Sequence, residues 1–363
     1  MKPKLALPNA FRSERGFRNG CFFSCTILYP QLTSSGEGAS TVQNISFIKW
    51  LPQIVGAACT CIMLAGLSTI PAQAASPSWP TSGFESELGM RYWANWGETS
   101  KDLYGATRAD LRSRLTYGSL SGNAGEIFGQ TTNNTNFVKG FAGLGIIGAG
   151  NLQDEDFPPG ISPYSSTNSA PRSGSIAYAT IDIGHYFIQT PTSRIGGLIG
   201  YNYFNEEMNG YGCTQTASNT GCVPAISTSF KVISQKNNWH SLRLGINGET
   251  RVGNWRLSGE AVALPYVFLK GTDSHLLRIC SSPGCFTGPV PEDGLGWGYQ
   301  LQTMLDYQIN PDFSFGFGAR YWHMQTKGYS HFGGRIVGGG GGSQPVDWQT
   351  TIFGVTTQAT LHF

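Results

Sequence analysis

Charge is scarce in this chain. Asp, Glu, Lys and Arg make up 13% of its 363 residues, about half the usual share. After residue 74 no apolar run reaches the length of a membrane-spanning helix, which excludes a helical membrane protein. Several signatures of chemistry are missing as well. No G-x-S-x-G elbow appears, so serine-hydrolase chemistry has no support. The glycine run 338–342 lacks the Gly-Lys-Ser/Thr and the helix that a phosphate cradle needs, and reads as a flexible loop. Neither distal cysteine pair has C-x-x-C spacing, and only His275 lies near, which argues against zinc. No cofactor is indicated.

What is present begins with an export signal. Lys49 precedes an apolar run over 54–70, followed by Pro71 and the small-residue site Ala72-Gln73-Ala74. This pattern predicts a leader over 1–74, cleaved before Ala75. An uncleaved anchor helix is the rival reading, but the run falls short of the about 20 residues that span a bilayer. The leader holds six of the 24 Lys/Arg and two of the 22 Asp/Glu, leaving 18 basic and 20 acidic residues, a formal charge of −2. Nucleic-acid binding therefore finds no support in the charge. Four of the eight cysteines also fall in the leader. The rest form two close pairs, Cys213 with Cys222 and Cys280 with Cys285. Sequence-local disulfides within these pairs are the simplest of the three connectivities. Oxidised pairs suit an exported protein.

From residue 84 onward the hydrophobic period is two. "FESELGMRYWANW" alternates Phe84, Leu88, Met90 and Tyr92 against Glu85, Glu87, Arg91 and Asn95, and "TIFGVTTQATLHF" repeats the pattern up to Phe363. Eight similar runs lie between them, near 108–130, 137–150, 174–188, 195–207, 238–251, 255–270, 294–309 and 313–328. Their connections alternate between short turns ("TTNNTN", "QTPTSR", "VGN", "INPD") and long segments at 151–173, 208–237, 271–293 and 329–346. Ten strands joined this way predict an all-β fold, a ten-stranded antiparallel transmembrane β-barrel closed because lipid leaves no open edge satisfied. A soluble sandwich would alternate too, but its strands are shorter. An aromatic residue closing the last strand, here Phe363, is the address that barrel-assembly machinery reads. Glu85, Glu87, Arg91, Arg112, Arg114, Glu126 and Glu260 fall on the parity opposite the apolar face. Both signs together predict a lumen packed by ion pairs, since ten strands enclose little more than the eight whose side chains just fill the interior.

Two short polar pairs stand out. "LQDEDFPPG" carries Asp154 and Asp156, and "GTDSHLL" carries Asp273 and His275. Residues i and i+2 of an extended chain point to one side. The pairs follow the third and seventh strands, so a ten-stranded ring sets them on opposite walls of the long-loop end. There an Asp–His pair can activate a water that the second carboxylate pair holds. Solvated turn acids are the plain alternative for Asp154 and Asp156. A calcium loop fits less well, lacking the twelfth-position Glu and a correctly placed Gly. His185 and His323 sit among aromatics and read as wall residues.

On these motifs the mature chain, about 290 residues, resembles the omptins, outer-membrane endoproteases of Gram-negative bacteria. "GETSKDLY" with "SRLTYGSL" is similar to their first loop and second strand, "GNLQDEDF" to their Gly-Asn-x-x-Asp-x-Asp-Trp stretch with Phe157 for the tryptophan, and "GTDSHLL" to their Asp-x-His stretch. The resemblance implies an aspartic-type endopeptidase in which Asp273 and His275 activate water and Asp154 and Asp156 assist. It implies peptide or protein substrates at the cell surface and lipopolysaccharide as a partner needed for activity. Two departures are visible. Where omptins that cut between basic residues keep a first-loop glutamate, Lys101 stands here, leaving Asp102 as the neighbouring acid for substrate contact. The strand "GYNYFNEEMNGYGC" lacks the arginine of the lipopolysaccharide site. A non-catalytic barrel, an adhesin or structural protein on the same scaffold, is the second reading, because fold alone does not decide function.

Overall fold

Alternation becomes strand wherever a run can bury one face. A computed structural model describes residues 83–157, 163–278, 288–333 and 342–363. The leader 1–74 lies outside them. So does the second expected disulfide, because neither Cys280 nor Cys285 is among the described residues. The strands are β1 (Phe84–Tyr104), β2 (Leu111–Asn133), β3 (Asn136–Asp156), β4 (Ser165–Pro171), β5 (Gly174–Gln189) and β6 (Ser193–Gln215). They continue with β7 (Ile226–Val252), β8 (Trp255–His275), β9 (Val290–Asn310), β10 (Phe313–His331) and β11 (Ser343–His362). All pairings are antiparallel, and β1 pairs with both β2 and β11, which closes the ring.

Eleven strands make ten staves. β3 pairs with β4 through Asp156↔Ser165 and with β5 through Ile147↔Gly174, so β4 and β5 are one stave broken near Ser173, whose φ is 52°. Two-residue turns join β2 to β3 and β7 to β8; Asn134 (φ 55°) and Gly253 (φ 58°) supply the left-handed conformation such turns demand. At the other end the strands run further than the hydrophobic pattern suggests. Most of the expected loop 208–237 is strand, since β6 continues to Gln215 and β7 begins at Ile226. The mouth therefore stands well above the apolar band.

That band faces outward. Met90 is 70% and Leu144 74% exposed, an apolar surface that fits lipid rather than water. Inside, Glu126 takes Arg320 Nη1 at 2.7 Å and also pairs with Arg91. Arg243 joins Asp182 (2.8 Å) to Glu260 (2.5 Å), and Lys139 pairs with Glu260 as well. Near the short-turn end Arg194 holds Glu85 at 2.9 Å and Arg256 holds Glu87 at 2.7 Å. Trp322 packs against Trp93 (centroids 5.2 Å) and Tyr178 (5.3 Å), filling the lumen with rings beside these charges.

The expected inward set is corrected at Arg112 and Arg114. The β2–β3 register shifts between Gly118 and Ser121, and Ser119 sits at φ 51°. Such a bulge exchanges the two faces of a strand. Below it Ala124, Glu126 and Phe128 face the lumen; above it Leu115 and Tyr117 do. Arg112 and Arg114 are thereby turned outward, where they pair with Asp110 (2.7 Å) and Asp102 (2.6 Å). His185 meets Asn136 and His323 meets Thr351, both on the wall.

Candidate functional site

The bulge that turns Arg114 out has a counterpart in β3. Phe137 and Ile147 face inward in its lower half, Leu152 and Asp154 in its upper half. Asp154 is only 8% exposed, which overturns the reading of a solvated turn acid. Opposite it, β8 ends at His275 and passes into a 3-10 turn, Leu276–Arg278. The i,i+2 spacing of Asp273 and His275 puts both on one side of that strand.

The two pairs meet. His275 Nε2 lies 3.1 Å from Asp273 Oδ2, and His275 Nδ1 lies 4.0 Å from Asp154 Oδ2. One ring nitrogen thus addresses each wall. Asp156 sits higher and accepts a hydrogen bond from Arg278 Nη2 at 3.3 Å. Asp154 Oδ1 and Asp273 Oδ1 are buried acceptors with no protein donor, and buried acceptors of that kind are commonly satisfied by water. Among the described residues no group of three or more His, Cys, Asp or Glu is arranged to hold a metal ion.

Electrostatics separates the members of the cluster, all of which stand above the apolar band. Burial raises the Asp154 carboxyl above its ordinary range, and nearby Asp156 and Asp273 add to that, while His275 and Arg278 only partly oppose it. Burial would also raise Asp273, but the charges and hydrogen bonds of His275 and Lys101 hold it well below the usual carboxylate range. Burial would lower His275, yet Asp273 and then Asp154 outweigh it, so the imidazole titrates above 6.5. Two carboxylates of opposite tendency with a histidine between them can carry acid–base chemistry on a water.

Sequence reasoning missed what sits under the pair. Lys101, 2% exposed, extends from β1 into the lumen, its Nζ 2.5 Å from Asp273 Oδ2 and 2.8 Å from Glu292 Oε1 on β9. Gln235 and Ser330 donate to Glu292 as well, at 3.2 and 2.5 Å. The signal was available, because Lys101 shares the parity of Arg91, already recognised as inward. Asp102, expected as a substrate-contact acid, has the other parity. It points outward to Arg114, away from the cluster.

Of the two disulfides expected at the rim, one is described. Cys213 and Cys222 are bonded, with Cα atoms 5.6 Å apart. The expected bond from Cys280 to Cys285 is not, since Cys280 and Cys285 both fall in the span between Arg278 and Gly288, outside the described residues.

A closed ring of ten antiparallel staves, apolar outside and ion-paired within, is the architecture of an outer-membrane β-barrel. Among solved structures the chain is similar to the outer membrane protease OmpT from Escherichia coli, with TM-score 0.59 and 16% identity over 78% of this chain and 99% of that one. Looser likenesses are the translocator domain of autotransporter NalP from Neisseria meningitidis (TM-score 0.33, 10% identity, 86% and 98% covered) and the Ralstonia pickettii toluene transporter TbuX (0.32, 9%, 77% and 89%). No family model and no curated protein matches. At these identities the likeness defines the fold.

Proposed function

We propose that this protein is an omptin-like endopeptidase of the bacterial outer membrane, exported by its leader and assembled through Phe363. One observation carries the reading: Asp154 from β3 and Asp273 from β8 converge on His275, whose nitrogens lie 3.1 Å from Asp273 and 4.0 Å from Asp154. Asp273 orients the imidazole and stabilises its protonated form. His275 takes a proton from a water lying towards Asp154, the hydroxide adds to the peptide carbonyl, and the C–N bond then breaks as the imidazolium gives its proton to the leaving amine. Asp154, with the higher proton affinity of the two acids, holds that water, and Asp156 with Arg278 borders the approach. The substrates are peptides or proteins at the cell surface, with lipopolysaccharide as the activating partner.

The test uses barrel refolded with lipopolysaccharide and a mixed peptide library. His275→Ala is expected to lose about 10²–10⁴-fold in cleavage rate, the usual cost of removing a general base, with unchanged heat-dependent mobility on gels. Equal cleavage by wild type and variant, or none by either, ends the peptidase reading. One observation favours a non-catalytic barrel: Lys101 places a buried cation against Asp273, as in a purely structural ion pair. Absence of cleavage in that assay would select this second reading.

A further inference from the structure

Lys101 and His275 do not take separate oxygens of Asp273. Both contact Oδ2, Lys101 Nζ at 2.5 Å and His275 Nε2 at 3.1 Å, while Oδ1 receives no hydrogen bond from the protein. Two donors on one oxygen compete. Lys101 is held in that competition from the far side, since Glu292 binds the same ammonium at 2.8 Å and is itself anchored by Ser330 and Gln235. The indole of Trp348 lies 5.3 Å from the ammonium, which leaves it little room to withdraw.

We propose that Lys101 is a positioning residue of this site: by sharing Oδ2 of Asp273 it loosens the carboxylate's hold on the imidazole and leaves His275 able to accept a proton from water. An Asp–His pair buried on its own would over-stabilise the imidazolium, leaving the base occupied near neutral pH. A second cation on the same oxygen draws off part of that stabilisation, and Glu292 sets how much by claiming a share of the ammonium. Among the described residues, charged groups facing His275 include Asp273 on β8, Asp154 on β3 and Arg278 on the turn, with Asp156 on β3 held to Arg278. One step further lie Lys101 on β1 and Glu292 on β9, with Tyr117 on β2 in the same field as Asp154 and Asp273. The inference rests on the peptidase reading for its purpose, but its test does not need cleavage.

The experiment is an NMR titration of the His275 ring in labelled, micelle-refolded barrel, assigned by its loss in His275→Ala. In Lys101→Met the ring is expected to titrate about half a pH unit or more above wild type, because a neighbouring cation has gone. Lys101→Arg keeps the charge and should restore the wild-type value. Glu292→Gln removes the second negative charge from Lys101, leaving more of the ammonium's pull on Asp273, and should move the ring the other way, to lower pH. Opposite movements, with the wild-type value kept in Lys101→Arg, support the proposal, since a lysine not coupled to Asp273 would change unfolding and leave the titration where it was. An unmoved ring in folded Lys101→Met, or movement in the same sense in both variants, overturns it. If Lys101→Met yields no folded barrel, Lys101→Gln, which keeps a donor without the charge, is read in its place: an upward movement supports the role of Lys101, and no movement or a downward one overturns it. A barrel that shows these movements and cleaves nothing overturns the peptidase reading while leaving the Lys101–Asp273–His275 coupling standing.

Discussion

The lumen and the mouth of this barrel are built from the same residue types and use them differently. In the lumen, Glu126 gives both oxygens to Arg320 and one of them also to Arg91, and Arg243 is shared by Asp182 and Glu260. At the mouth, Asp273 and Glu292 divide one ammonium, and Asp154 meets an imidazole nitrogen at 4.0 Å with Arg278 acting on it from further off. Among the described residues, the buried carboxylate oxygens without a partner are Asp154 Oδ1 and Asp273 Oδ1, both at the mouth. Saturated pairing fills space and fixes shape. Incomplete pairing leaves acceptors for a water and carboxylates whose proton affinities differ.

Mutations that remove one charge should therefore read out oppositely in the two regions. The largest effect on activity after His275→Ala is expected at Asp154→Asn, about 10²-fold slower cleavage with little change in unfolding, measured as kcat/KM beside a denaturant titration. Arg320→Met should do the reverse. It leaves Glu126 with half its pairing in a buried interior, a loss of about 3–5 kcal/mol by urea unfolding, with cleavage retained in whatever fraction folds. Were Arg320→Met harmless to folding, the contrast between the regions would collapse.

A pH profile sharpens the comparison. Because His275 titrates above 6.5 in the folded barrel, the free base appears only above that pH, so kcat/KM should climb through an acid limb lying higher than an ordinary histidine's. Stability runs the other way. A histidine with a raised folded value contributes stability that is complete below 6.5 and is lost as pH rises through the folded value. The mouth should thus grow more active and slightly less stable over one pH window, and a limb below 6.5 would refute the arrangement. The smallest effect belongs to the rim. Cys213→Ser with Cys222→Ser opens a ring of nine residues' separation, worth about 2–3 kcal/mol on chain entropy, and should leave the acid limb in place.

How much of this was legible beforehand depends on how local each cause is. Strict alternation in β1 and β11 exposes the staves, and the spacing of Asp154/Asp156 and Asp273/His275 puts each pair on one side of its strand. Counting strands then sets the pairs opposite each other. Nearness in sequence was also enough to pair Cys213 with Cys222; for Cys280 and Cys285 the same argument remains an expectation, because both lie outside the described residues. What alternation cannot carry is a single inserted residue: the bulge at Gly118–Ser121 exchanges faces, so Arg112 and Arg114 read as lumen residues and stand on the wall. The inward side of Lys101 was readable from its parity with Arg91, but its pairing with Glu292 escaped for another reason. Their partnership joins β1 to β9 across the interior, and no pattern along either segment announces a contact 191 residues apart.

The closure of the ring carries a consequence for how the protein comes into being. Nine of the ten stave pairings join strands adjacent in sequence, and each can zip from a local hairpin. The tenth brings Glu87 to His362 and Leu103 to Val346, a contact that cannot form until nearly all the described chain is present. Contacts so distant in sequence slow folding, and until this one is made two strand edges lie open in a medium that offers them no hydrogen bonds. Assembly is therefore governed by its final step. A substitution on β11 that leaves the finished barrel stable can still lower the yield of barrels finished.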